Sequence, residues 1–339
     1  MSLMSLMSFM SLKAETLKVK RGNLAENMEK LARFAASDVF TGEMRSRMAS
    51  SIDKTIEYSM CGLKVTAFEG HGKNGIKVDH VHFRRVLGRI VALLSVLSLN
   101  NEVLEILYVP LPIDRCLHLR KPMEPIGPAD LNGGLYVPSR RTIVVYRREE
   151  YPKVMLHEVF HHVCAVREWD FGSFGPYELE EAVSETLAVV CHAAMLVADH
   201  SQGFNPNYKY SKDSKKHSKG SKCAKEVVNA LLDRERAWCD ALVAKLSRIY
   251  DYPARPWVER TNVFSYLFLR RRLMSRDYMD AFLGLWDALL RGQIEASEFA
   301  RAVARQLNES DPTETSQQQS HHNNKNRCMS LRMTRYGSL

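Results

Sequence analysis

The sequence predicts an α+β fold with helix in the majority. Helical apolar spacing fills both ends of the chain, while the strand-like segments gather between residues 63 and 147. A short β-containing core between helical blocks belongs to the α+β class. The 45% apolar and 26% charged residues are those of an ordinary globular chain able to bury a sizeable core.

Taken in order, Leu24 to Tyr58 carries helical spacing through Leu31, Phe34, Ala35, Met44 and Met48, with Thr41-Gly42 as a break. Leu63–Phe68 reads as a short strand, and Val81 to Leu99 as one long buried helix. Glu102 to Leu111 reads as a strand stopped by Pro110 and Pro112. The proline-rich stretch 112–141 is expected to be loop, with a short edge strand near Leu135–Val137. The β-branched run Arg141–Arg147 (RTIVVYR) is a strand. Glu149, Glu150 and Pro152 are helix-start chemistry, so a helix is expected from about Pro152 to Arg167. After the glycines at 172 and 175, Pro176 and Glu178 open a second helix reaching Ala198. Helical patterns resume over Cys223–Tyr250, Val258–Met274, Tyr278–Arg291 and Glu295–Leu307.

The expected organisation is a disordered leader (1–23), a core with N-terminal helices (24–198), a disordered basic insertion (199–222), a C-terminal helical subdomain (223–308) and a disordered tail (309–339). The leader reads MSLMSLMSFMSL before the first charge at Lys13, the reverse of the order a secretory signal needs. Organelle targeting is the alternative reading of it. The seven cysteines are scattered without a C-x-x-C pair, which fits a reducing intracellular, cytoplasmic compartment better than a disulfide framework. The apolar run Ile90–Leu99 is too short to cross a bilayer, so no transmembrane segment is expected. The net charge of +9 is a weak hint of anionic partners, because much of it sits in the insertion and tail.

The chemistry-bearing segment is His157-Glu158-Val159-Phe160-His161. Residues four apart on a helix leave the same face, so both imidazoles can grip one Zn²⁺, and Glu158 can reach a water without ligating the metal. Glu181 follows His161 by twenty residues, on the next expected helix. If the intervening loop folds the two helices antiparallel, Glu181 stands nearly level with His161 and supplies the third protein ligand. Glu185, one turn further on, is placed to accept the free N–H of a ligand histidine. His162 lies about 100° off the 157/161 stripe and is expected to face solvent or the sheet. Cys164 and Cys191 are expected to be small buried apolar residues.

These residues resemble the gluzincin pattern of thermolysin-type zinc metallopeptidases: H-E-x-x-H, a downstream glutamate ligand, and an acid four residues later. Glu180 and Glu185 depart from the asparagine and aspartate usual in thermolysin itself. Asn132-Gly133-Gly134, Arg147-Arg148-Glu149-Glu150 and Lys153-Val154 are also similar, more loosely, to predicted metallopeptidases of large DNA viruses and protists. The two likenesses span about residues 130–190. They imply a zincin-like fold, a small sheet packed on an active-site helix, and one Zn²⁺ per chain. They further imply a peptide or protein substrate, with Glu158 as general base. The oxyanion stabiliser would lie outside the motif, with Tyr177 and Tyr266 as candidates. The strand Arg141–Arg147, or the edge near Leu135, would line the cleft and bind an extended peptide. Two alternatives stand beside this reading. One is a non-catalytic zinc-binding module, against which Glu158 argues. The other is a basic nucleic-acid-binding protein using Arg270-Arg271-Arg272 and the lysine-rich insertion, for which no nucleic-acid module is present.

Overall fold

The computed structural model describes residues 17–37, 39–71, 76–99, 101–113, 116–117, 127, 132–148, 150–174, 177–201, 220–250, 265–309 and 329–330. These fall into two compact units, one of residues up to Arg115 together with Asn132–Glu168 and the other mainly from Trp169 onward. The sequence reading drew its boundary later, at the basic insertion.

In the first unit, β-branched and aromatic residues build a six-stranded sheet. Its strands are β1 (Lys18–Arg21), β2 (Lys54–Met60), β3 (Leu63–Glu69), β4 (Leu104–Leu111), β5 (Gly134–Val137) and β6 (Thr142–Arg147), in the order β1-β2-β3-β4-β6-β5. β3, β4 and β6 run parallel, and the remaining pairs are antiparallel. The β2–β3 turn puts both Cys61 and Gly62 at positive φ (46° and 79°), the twist a two-residue hairpin needs.

Helices cover both faces of this sheet. On one, α1 (Leu24–Ala35) and α2 (Gly42–Ser51) bury Leu31, Phe34, Met44 and Met48 against Leu107, Val109, Val144 and Tyr146. On the other, Phe83 of α3 (His80–Val96) stacks on Tyr108 at 4.8 Å, and Tyr151, the first residue of α4 (Tyr151–Val166), lies against the same ring.

Several expectations need correction here. The helical reading of 24–58 holds as far as Ser51, with Thr41 capping α2 through Met44 N–H, but Lys54 onward is strand because it pairs along its whole length with β3. Residues 18–21, assigned to the leader, pair with β2 as an exposed edge strand. Pro110 lies inside β4 rather than ending it. The β4–β6 register shifts between Tyr108 and Leu111, and that irregularity accommodates the missing N–H. β6 is an interior strand, buried at every residue, so it cannot line an open cleft; among the described residues β5 is the edge strand beside it.

In the second unit, Ser173–Phe174 pairs with Tyr177–Glu178, and α5 (Leu179–Ser201) follows. The short hairpin delays this helix to Leu179; Pro176, its expected opener, lies outside the described residues. Then come α6 (Gly220–Tyr250), a π-helical turn (Ser265–Leu269) running into α7 (Arg270–Leu273), α8 (Arg276–Leu290) and α9 (Ala296–Glu309). Trp286, Phe282 and Phe299 pack with Trp169 and Phe171 as one aromatic core. Leu179–Asp199 is long and apolar enough to span a membrane by composition, but 89% of its apolar window is buried, as in a core helix. The basic insertion lies largely outside the described residues, with Gly220–Lys222 already in α6, and residues 251–264 and most of the tail lie outside them too.

Candidate metal centre

α4 is a core helix on nearly every side. Val154, Met155, Leu156, Val159, Phe160 and Val163 are each at most 3% exposed. Burying ionisable groups in such a helix is costly unless they are paired, and three sit here: His157 is 8% exposed, Glu158 6% and His162 0%. Their concentration makes this face a candidate site.

The helix opens at Glu150, held at φ 55° with no side-chain cap, and its first-turn N–H groups bond back to the Glu150 carbonyl. At its far end the Arg167 guanidinium donates to the carbonyl of Leu97, just beyond α3. Between these anchors His157 and His161 turn their Nε2 atoms to within 3.0 Å of each other, with the rings edge-on. Two nitrogens each about 2.0–2.1 Å from one tetrahedral ion stand about 3.3 Å apart, so the pair fits a metal with little adjustment. His157, His161 and Glu181 can each offer one ligand atom with all three within 4.8 Å of one another. Two imidazoles and one carboxylate are a zinc-type donor set that leaves a coordination position open.

Glu158 projects from a different stripe of α4, toward the edge strand. A Cβ added at Gly134 would stand 3.0 Å from its Oε1 and 2.9 Å from Val154 Cγ1. Only glycine lets β5 come this close to the carboxylate. The approach to Gly134 is itself tied down. The Asn132 carbonyl accepts from Tyr146 Oη and Arg147 Nε, each at 2.8 Å, and Gly133 O accepts from Tyr146 N–H.

His162 turns toward the sheet rather than solvent, and its Nδ1 lies 3.0 Å from the Tyr136 hydroxyl on β5. Burial, reinforced by the charge of Arg141, pushes its pKa down to about 4 against the opposing pull of Glu102, so the ring is neutral near neutral pH. Burial likewise raises the pKa of the Tyr136 phenol.

Glu185 has a partner that sequence reasoning did not name. Its Oε1 accepts from Arg270 Nη1 at 2.5 Å, and Arg270 also meets Glu235 at 3.3 Å and the Cys239 thiol. Arg270, Glu185 and Glu235 are all at most 1% exposed. Arg271 pairs with Asp240, and Arg272 donates to the Leu307 carbonyl. The Arg270-Arg271-Arg272 run is therefore engaged inside its own unit.

Cys164 and Cys191 are buried, as expected, and burial raises the pKa of Cys191. The side chains of Tyr177 and Tyr266 lie outside the described residues. Gly134, Tyr136 and Arg270 were missed as site residues. The Gly133-Gly134 pair was visible as a turn signal, whereas nothing near Arg270 in sequence points to Glu185.

Compared with known proteins, the chain matches no family model, no curated protein and no solved structure.

Proposed function

We propose that this protein is a zinc-dependent peptidase of zincin-like design, hydrolysing peptide bonds with Glu158 as the general base. The observation that carries the reading is the polar face of α4, where His157 and His161 Nε2 atoms face each other at 3.0 Å and Glu158 stands between them in sequence, against the edge strand. His157, His161 and Glu181 would hold the ion, and the imidazole–carboxylate donor set suits zinc. When bound, zinc supplies Lewis-acid polarisation of a substrate carbonyl and of an adjacent water.

The remaining work falls to the chain's own residues. Glu158 takes the proton of the attacking water and returns it to the departing amine, so its two oxygens serve as base and then acid. Its burial against Gly134 keeps the carboxylate in one place and limits competing solvent. β5, the edge strand among the described residues, offers the substrate a strand edge beside that carboxylate. A closed structural zinc site has no use for such a glutamate.

The test is Glu158→Gln, which keeps the size and removes the base. Zinc content and thermal stability should hold while cleavage of a quenched-fluorescent peptide library falls by about 10²–10⁴-fold. Wild-type cleavage should vanish with chelator and return with added zinc. No cleavage by fully zinc-loaded wild-type protein would reject the peptidase reading; cleavage undiminished in Glu158→Gln would reject the assigned base.

A further inference from the structure

Val154, Glu158 and His162 are spaced four apart on α4 and form one stripe. Gly134 and Tyr136 are two apart on β5 and share one face. Stripe and face lie against each other at both ends. Glu158 and Val154 crowd Gly134, and His162 meets Tyr136 through a 3.0 Å hydrogen bond and an edge-on ring contact at 5.5 Å.

The backbone of β5 is half committed. Tyr146 N–H bonds Gly133 O, and the register pairs Leu135 with Val144 and Val137 with Thr142. By the alternation of an antiparallel ladder, Leu135 and Val137 exchange hydrogen bonds with β6, while the N–H and C=O groups of Gly134 and Tyr136 point away from it, to the outer edge. The strand is only four residues long and, among the described residues, has a neighbouring strand on one side, so its ladder alone is a weak anchor.

Packing alone would be served by phenylalanine against an apolar helix residue. A buried imidazole and a half-buried hydroxyl there instead are costly unless they bond each other. His162 Nε2 is buried with no hydrogen-bond partner among the described residues, so the ring's hydrogen bond among them is the one it shares with the Tyr136 hydroxyl.

We infer that the Tyr136–His162 contact is a substrate-positioning device: it clamps the edge strand to α4, so that the outward backbone groups of Gly134 and Tyr136 hold an extended peptide beside Glu158. This rests on the peptidase reading above. Tyr136 and His162 are positioning residues; neither touches the reacting atoms.

The experiment uses the zinc-loaded full chain as wild type, Tyr136→Phe, His162→Asn and His162→Ala. Asparagine places an amide near the ring Nδ1 position and can bond the hydroxyl as donor or acceptor, so it serves as the rescuing substitution. Hydrogen exchange at the Leu135 and Val137 amides, zinc content, and kcat and KM on a quenched-fluorescent extended peptide are read together. Tyr136→Phe should keep its zinc, exchange those two amides at least tenfold faster and raise KM about tenfold, with kcat within twofold of wild type. His162→Ala should match it, and His162→Asn should lie nearer wild type. Unchanged exchange and unchanged KM in Tyr136→Phe would overturn the inference, as would an equal fall in kcat with KM constant. If wild-type protein cleaves no peptide, the peptidase reading falls but the clamp is still judged: faster exchange in Tyr136→Phe supports it, and unchanged exchange overturns it.

Discussion

Replacing Gly134 with alanine puts one methyl group where the edge strand meets the α4 carboxylate. That carbon would stand 2.9 Å from Val154 Cγ1, 3.0 Å from Glu158 Oε1 and 3.1 Å from the Val144 carbonyl oxygen. Ordinary contact begins at 3.4 Å, so the shortfalls are 3.4 − 2.9 = 0.5, 0.4 and 0.3 Å. The Val154 and Glu158 side chains can turn away, but the Val144 carbonyl belongs to an interior strand, so β5 must shift as well. Overpacking of this kind costs about 1–3 kcal/mol of stability. A misplacement of about 1 Å at a reacting group can cost about 10²-fold in rate, so the shifts here should lower kcat by about 10- to 100-fold. The assay is cleavage of a quenched-fluorescent peptide by zinc-loaded protein, with zinc content and denaturant unfolding measured on the same sample. Gly284→Ala is the control, since a Cβ there meets nothing within 4 Å. In the middle of α8 it should gain up to about 1 kcal/mol and leave activity alone. Activity within twofold of wild type in Gly134→Ala would refute the placement of Glu158 beside β5. Loss of zinc in step with activity would make the defect one of metal binding and refute the division of labour on α4.

Three further outcomes are expected. His157→Ala, His161→Ala and Glu181→Ala should each sharply lower zinc occupancy by elemental analysis, and full occupancy in Glu181→Ala would remove it from the ligand set. Arg270→Met should destabilise the protein by about 3–5 kcal/mol in denaturant titration, because it strands the buried carboxylates of Glu185 and Glu235. Tyr58 is 1% exposed, and burial, helped by the negative charge of Glu69 against the opposing Arg84, pushes its pKa up to about 12. Between its ordinary value near 10 and 12 the unfolded chain has lost a proton that the folded chain keeps, so stability falls as pH rises through that window. The unfolding midpoint of wild type should drop more steeply from pH 9 to 12 than that of Tyr58→Phe, and parallel curves would contradict this.

The first-unit elements were legible wherever a local pattern decides conformation. The long apolar run of α3, the Thr41-Gly42 break, the helix-start residues before α4 and the β-branched core of β6 were all readable because such signals act over a few residues. Lys54–Met60 was misread, since its alternation is short and its strand state depends on pairing with β3. Pro110 was read as a stop because a single sequence does not say where a ladder is irregular. By contrast, 134–147 was read as two strands with a short edge strand near Leu135–Val137, and the sheet order agrees. What the sequence left open is which of the two pairs with β4, a choice made thirty residues away.

By itself the sequence determined that His157 and His161 share a helix face with Glu158 beside them, because four-residue spacing is covalent geometry expressed through one helical turn. It also placed a carboxylate pair, Glu181 and Glu185, one turn apart on the following helix. Only the tertiary structure decided what those groups meet. Glu185 binds Arg270, 85 residues away in sequence, and His162 binds Tyr136 across a helix–strand contact. Such partners are selected by burial, since a polar group removed from water must find whatever the fold brings within reach. That choice belongs to the packing of whole elements, and no local period encodes it.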